Sequence, residues 1–218
     1  MAPDGTRPGR CPGPSAQDIL AQDRTPAPAV LAEGDVEQLG TGDLPTDAYT
    51  DHAFHRREVE KVWARCWQLA CREDELEQPG SMIVYDIVDD SAIVLRDRDG
   101  TLRAFVNSCP HRGTRLVEGD VRQQRIRCPF HGLTWGLDGG LETLPCAWDF
   151  AHVTDDRLQL QPIQVGTWGG FVFVNFDPAA APLQDYLEIL PAHFDRWAPE
   201  RRFTAAHVMK RMECNWKV

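Results

Sequence analysis

The sequence has no apolar run long enough to cross a bilayer. The longest, Gly169-Gly170-Phe171-Val172-Phe173-Val174, falls far short of the roughly 20 residues a spanning helix needs. A basic excess is also missing: 23 Lys and Arg stand against 33 Asp and Glu, for a net charge of −10. That balance, with a pI near 5.1, argues against a nucleic-acid partner. Arg7 and Arg10 are followed by Pro, Gly and Asp rather than by an apolar stretch of about 7–15 residues, so no secretory signal is expected and the cytoplasm is the expected address. Seven cysteines is an odd number, and Cys11, Cys66, Cys71, Cys146 and Cys214 are scattered, which excludes the dense disulfide framework of a small secreted scaffold. No solenoid-type repeat is visible.

What is present divides the chain into four parts. Residues 1–45 hold seven of the sixteen prolines and few large apolar residues, so this segment is expected to be mostly disordered. From Thr50 to Trp67, Val59, Val62, Trp63, Cys66 and Trp67 recur at helical spacing behind Thr50 or Asp51 as N-cap, predicting an amphipathic lead-in helix over 46–67. Residues 68–177 then change to short β-rich runs: Met82 to Val88, Ala92 to Arg96, Leu102 to Asn107, Arg125 to Cys128, Leu133 to Gly136, Leu158 to Pro162 and Gly170 to Asn175. Asp99-Gly100 and Asp138-Gly139-Gly140 supply turns, and the whole predicts a small, mainly antiparallel β-domain with flanking helices. Residues 178–218 read as a short helix from Pro182 to about Pro191, then a long strand from Phe203 to Val218. That strand stops without a polar tail and reads as cut.

Two cysteines behave differently from the rest. Cys109-Pro110-His111-Arg112-Gly113 is followed, after sixteen residues separating His111 from Cys128, by Cys128-Pro129-Phe130-His131-Gly132. Cys-x-His and Cys-x-x-His are mixed pairs, whereas familiar zinc sites pair like ligands, Cys with Cys and His with His. A Rieske [2Fe–2S] centre needs two thiolates on one iron and two imidazoles on the other, so each loop would give one ligand to each iron. Replacing two thiolates by neutral imidazoles raises the potential from about −400 mV toward about −150 to +300 mV. Pro110 and Pro129 stiffen the loops, while Gly113 and Gly132 permit φ > 0 or close backbone approach.

On these residues the chain resembles the α subunits of Rieske non-haem iron oxygenases, the aromatic ring-hydroxylating family. The resemblance extends through Arg115-Leu116, Leu137-Asp138-Gly139 and Trp168-Gly169-Gly170-Phe171-Val172-Phe173-Val174-Asn175, covering about Pro45 to Val218. The respiratory type of Rieske protein looks different: it has an extra cysteine in each loop for a disulfide, and here Thr114 and the residues between Cys128 and His131 supply none. After His131-Gly132 the oxygenases usually have Trp; this chain has Leu133, with Trp135 two positions later.

The resemblance implies a [2Fe–2S] cluster on Cys109, His111, Cys128 and His131, fed by a reductase or ferredoxin, in a trimer-like homo-oligomer. Electrons would pass to a mononuclear Fe(II) in a helix-grip catalytic domain, whose start is matched by Asn215-Trp216-Lys217-Val218. The two histidines and carboxylate of that iron's facial triad are absent, so the chain alone is expected to lack hydroxylase activity. His52, His55, His152, His193 and His207 are expected to be surface or strand residues. Two other readings are a stand-alone Rieske ferredoxin and a zinc-stabilised interaction module.

Overall fold

The structure, a computed structural model, describes residues 13–14, 16–24, 26–29, 42–153 and 155–218. Among them are ten strands: β1 Gln68–Arg72, β2 Ser81–Ile87, β3 Asp90–Arg96, β4 Leu102–Val106, β5 Val121–Arg122, β6 Ile126–Arg127, β7 Thr134–Trp135, β8 Leu141–Thr143, β9 Pro162–Trp168 and β10 Phe171–Asn175. They form an antiparallel seven-stranded sheet in the order β1-β10-β9-β4-β3-β2-β5 and a three-stranded sheet β6-β7-β8.

The alternation of side chains explains how both faces of the large sheet are used. Ile83, Val94, Ala104 and Ile163 stand opposite one another across β2, β3, β4 and β9. They join Cys71, Leu76, Val172 and Val174 in one core, so residues from strands well apart in the sheet order meet and the sheet is curled on itself. Their neighbours point the other way. Met82, Ile93, Leu95 and Phe105 pack under the small sheet against Ile126, Trp135 and Leu137. A strand such as β3, with Ala92 to Leu95 all buried, therefore reads as a continuous apolar run rather than an alternating one.

The two sheets are joined closely at the turn between β7 and β8. Gly139 has φ +83°, and a Cβ there would lie 2.4 Å from Phe105 Cε1. Its carbonyl also accepts a hydrogen bond from the Leu160 amide at 3.1 Å. Alanine would add a left-handed backbone cost of about 1–2 kcal/mol to a clash with a packed ring. Gly139→Ala should therefore lose at least about 2 kcal/mol, a fall in Tm of roughly 4–8 °C for a protein of this size. An unchanged thermal melt would contradict this view of the junction.

Several elements differ from the sequence expectation. The lead-in helix is capped by Asp51, whose carboxylate accepts from the amides of Ala53 and Phe54, but it runs only over His52–Glu58 and a π-helical turn Val59–Trp63. Trp67 then turns inward to pack with Leu183 and Leu187, its Nε1 donating to the Ala181 carbonyl at 2.8 Å, so the apolar period continues past the helix end. The expected strand Leu158 to Pro162 is displaced: Asp155–Leu158 is a helical turn, and β9 begins at Pro162. Gly166 interrupts the apolar pattern of β9 because a Cβ there would sit 3.0 Å from Leu183. The helix expected from Pro182 to Pro191 splits into Leu183–Leu187 and Leu190–Phe194 at Glu188, which has φ 47°.

The expected strand Phe203 to Val218 does not form. Residues 203–210 pair with no neighbouring strand among the described residues, and Phe203, Val208 and Met209 are 78%, 87% and 85% exposed. Without a neighbouring strand among the described residues to take its backbone N–H and C=O groups, apolar content alone does not make this segment a strand. Its end is held instead by side chains: Trp216 meets Trp63 edge-on at 4.9 Å, and Lys217 Nζ pairs with the largely buried Glu58 at 2.7 Å. Most of the expected disordered tail lies outside the described residues; the part within them includes a short helix, Ala16–Ala21, followed by Asp23 paired with Arg196.

Candidate metal centre

The two motifs fold into loops of the same backbone design. In the first, which follows β4, the Cys109 amide donates to the Thr114 carbonyl at 2.8 Å and the Gly113 amide donates back to the Cys109 carbonyl at 2.8 Å. In the second, between β6 and β7, Cys128 N–H reaches the Leu133 carbonyl at 2.8 Å and Gly132 N–H reaches the Cys128 carbonyl at 3.0 Å. Gly113 and Gly132 have φ +73° and +80°, the left-handed conformation that closes each loop. Cysteine, proline and glycine thus occupy equivalent positions in the two loops. Only the histidine differs, third in the first loop and fourth in the second.

This design separates the ligand types by depth. Cys109 and Cys128 are 3% and 2% exposed, built into the core between the sheets. His111 and His131 lie above them at the surface, ring centroids 5.0 Å apart, with Phe130 stacked 3.9 Å from His131. The two thiols influence each other's titration, raising Cys109 and lowering Cys128. Burial raises the Cys109 thiol above its ordinary pKa, opposed by the amides of His111 and Arg112. Burial also works on Cys128, but there the amides of His131 and Phe130, with the Cys109 thiol and the Thr114 hydroxyl, outweigh it and hold the group low. Cys71 shows the contrast: in the other core, burial pushes its thiol up to about 12, with the carboxylates of Glu75, Asp120, Glu73 and Asp74 adding to the effect.

Among the described residues no three His, Cys, Asp or Glu side chains converge as ligands of one metal ion. The donors instead form an inner sulfur pair and an outer imidazole pair, which is the donor set of a two-iron centre with unlike ends. The loop amides of His111 and Arg112 at Cys109, and of His131 and Phe130 at Cys128, favour the anionic form of each sulfur.

A comparison with family models matches residues 66–154 to the Rieske [2Fe–2S] domain. The carnitine monooxygenase oxygenase subunit of Escherichia coli K12 is 34% identical over 177 residues, covering 80% of this chain and 47% of its own length. Residues 66–154 of this chain are a Rieske [2Fe–2S] domain. Chloroplastic choline monooxygenase of Beta vulgaris is 31% identical over 80% of this chain and 40% of its own. Among solved structures, a quaternary ammonium Rieske monooxygenase, described for carnitine oxidation by gut microbiota and inter-subunit electron transfer, superimposes with a TM-score of 0.67 at 30% identity, over 70% of this chain and 42% of that one. The Rieske chain thus spans about half the length or less of these relatives.

Within this Rieske domain, Leu133 is buried in the core and Trp135 fills the space beside it, its Nε1 donating to the Leu158 carbonyl at 2.6 Å. A cavity of about 650 Å³ opens beside His111 and His131, walled by Leu133, Leu144, Phe150 and Leu158. His152 and Cys146 also line it, which their positions in the sequence did not suggest. The remaining histidines lie away from the centre: His55 faces Glu58 at 3.5 Å, His193 packs edge-on with Phe194 and Trp197, and His52 and His207 are exposed. No helix among the described residues is long and apolar enough to cross a membrane.

Proposed function

We propose that Cys109 and Cys128 hold the inner iron and His111 and His131 the outer iron of the [2Fe–2S] cluster, and that the chain is the electron-transfer portion of a Rieske oxygenase α subunit. The observation that carries this reading is the buried cysteine pair beneath two exposed imidazoles on loops of one design. When bound, such a cluster supplies a one-electron couple. The protein contributes the rest. Its core keeps water from the sulfurs, its loop amides offset their charge, and its two imidazoles bring the outer edge of the centre to the surface where a redox partner can approach.

In this reading residues 68–177 are the Rieske unit, 46–67 lead into it, and 178–218 lead toward a mononuclear iron domain. The donor is a reductase or ferredoxin. The acceptor is a mononuclear iron, carried by a neighbouring subunit as the inter-subunit electron transfer described for the solved relative suggests. Purified anaerobically, the chain should contain about two irons and two sulfides per molecule and show a reduced-state EPR signal. It should accept electrons from a reductase. Stoichiometric zinc without sulfide would sink the assignment, and zinc is favoured less because four donors do not gather around one point.

A further inference from the structure

The two cluster loops have the same internal hydrogen bonds, but their stems are closed in different ways. Loop 128–133 leaves β6 and enters β7, which pair directly, with Ile126 opposite Trp135 and Arg127 opposite Thr134. Loop 109–114 has no strand pair at its base among the described residues. There the stems are bridged by one side chain. Asn107, on the incoming stem, is 3% exposed, and its Oδ1 accepts from the amides of Leu116 at 3.1 Å and Val117 at 2.9 Å on the outgoing stem. Its Nδ2 donates to the Val117 carbonyl at 2.8 Å and to Ser91 Oγ at 3.1 Å on β3. Every donor and acceptor of the carboxamide is used, as in a short stretch of strand pairing.

The same stem is fastened once more. Arg115 grips both oxygens of Asp86 at 2.9 and 2.8 Å, and Ser91 stands opposite Asp86 in the β2–β3 register. The Asn107 amide donates to the Ser91 carbonyl at 2.8 Å. Residues 115–117 are thereby tied to the hairpin of β2 and β3 through Asp86, Ser91 and Asn107, and Asn107 alone touches both stems. Because the loop between them is a closed unit, its placement is decided at these stems.

We propose that Asn107 is a positioning residue for the cluster: by bridging the two stems of loop 109–114 it fixes Cys109 and His111 relative to Cys128 and His131, and so sets the reduction potential. The proposal rests on the ligand assignment made above. With the bridge lost, the loop shifts as a body and its amides lie less squarely over the sulfurs. A sulfur with weaker N–H donors stabilises the more negative, reduced cluster less, so the potential falls.

The test uses the full chain with its cluster, as parent, Asn107→Ala and Ser91→Ala, in redox titrations followed by EPR. Poised at the parent midpoint, Asn107→Ala should show an oxidised-to-reduced ratio at least about threefold higher, with a broadened reduced-state EPR signal, and Ser91→Ala a smaller change in the same direction. Should Asn107→Ala not load its cluster, Ser91→Ala decides, since it removes one acceptor and leaves the bonds to Leu116 and Val117 intact. A lower melting temperature with unchanged or raised potential and unchanged EPR line shape would make Asn107 merely structural and overturn the proposal. Failure of the ligand assignment looks different: the parent itself would then lack two irons, two sulfides and the EPR signal.

Discussion

Cys128→Ala should empty the centre, taking iron and sulfide from about two of each per molecule to near zero, and Cys109→Ala should do the same. Each removes an anionic donor for which no other cysteine among the described residues stands ready. Cys71 belongs to the other core with its thiol pushed up to about 12, and Cys146 is exposed on the rim of the cavity beside the histidines. Neither replaces a ligand set between the sheets. The loss should be accompanied by little change in far-ultraviolet circular dichroism, because the strand pairing of β2, β3 and β4 does not pass through the loops. Retention of the visible absorbance and of sulfide in either variant would refute the assignment of the inner iron.

Trp135→Ala should be the most destabilising single change in the Rieske domain. The indole is fully buried between the two sheets, packs with Ile93, Leu95, Ile126 and Leu137, and makes a hydrogen bond to the Leu158 carbonyl at 2.6 Å. Truncation leaves a cavity, at a cost of about 3–5 kcal/mol for the side chain, and removes the hydrogen bond to the half-buried Leu158 carbonyl, worth about 0.5–1.5 kcal/mol. Against a typical total of roughly 5–15 kcal/mol this removes about a quarter or more of the stability. The urea midpoint should fall accordingly. Since Trp135 pairs with Ile126 at the base of the second loop, cluster content should fall with it. A variant with the parent's midpoint and full iron content would show that the small sheet is held by something other than this ring.

The two Cys/His loops were the most legible part of the chain. The two motifs are local, and the loop geometry follows from residues within each motif, with Gly113 and Gly132 closing the turns as their positions predicted. The hairpin at Asp99-Gly100 was legible for the same reason: Gly100 takes φ 87° between β3 and β4. β1 was missed because Gln68-Leu69-Ala70-Cys71-Arg72 has a bulge between Leu69 and Cys71, so it lacks clean alternation and exists only by pairing with β10. The strand expected over Phe203 to Val218 fails for the opposite reason, since apolar residues were present and a partner strand was not.

Composition and spacing by themselves determined the chemistry: an acidic chain with two mixed Cys/His loops, suited to iron and sulfide. They determined this because ligand type and loop closure are properties of a few adjacent residues. Only the tertiary structure decided which donors lie deep and which at the surface, that Trp135 and Phe105 lock the small sheet to the large one, and that one side chain, Asn107, bridges the stems of the first loop. Those depend on residues far apart in the chain, whose meeting is set by strand register and packing and leaves no local signal.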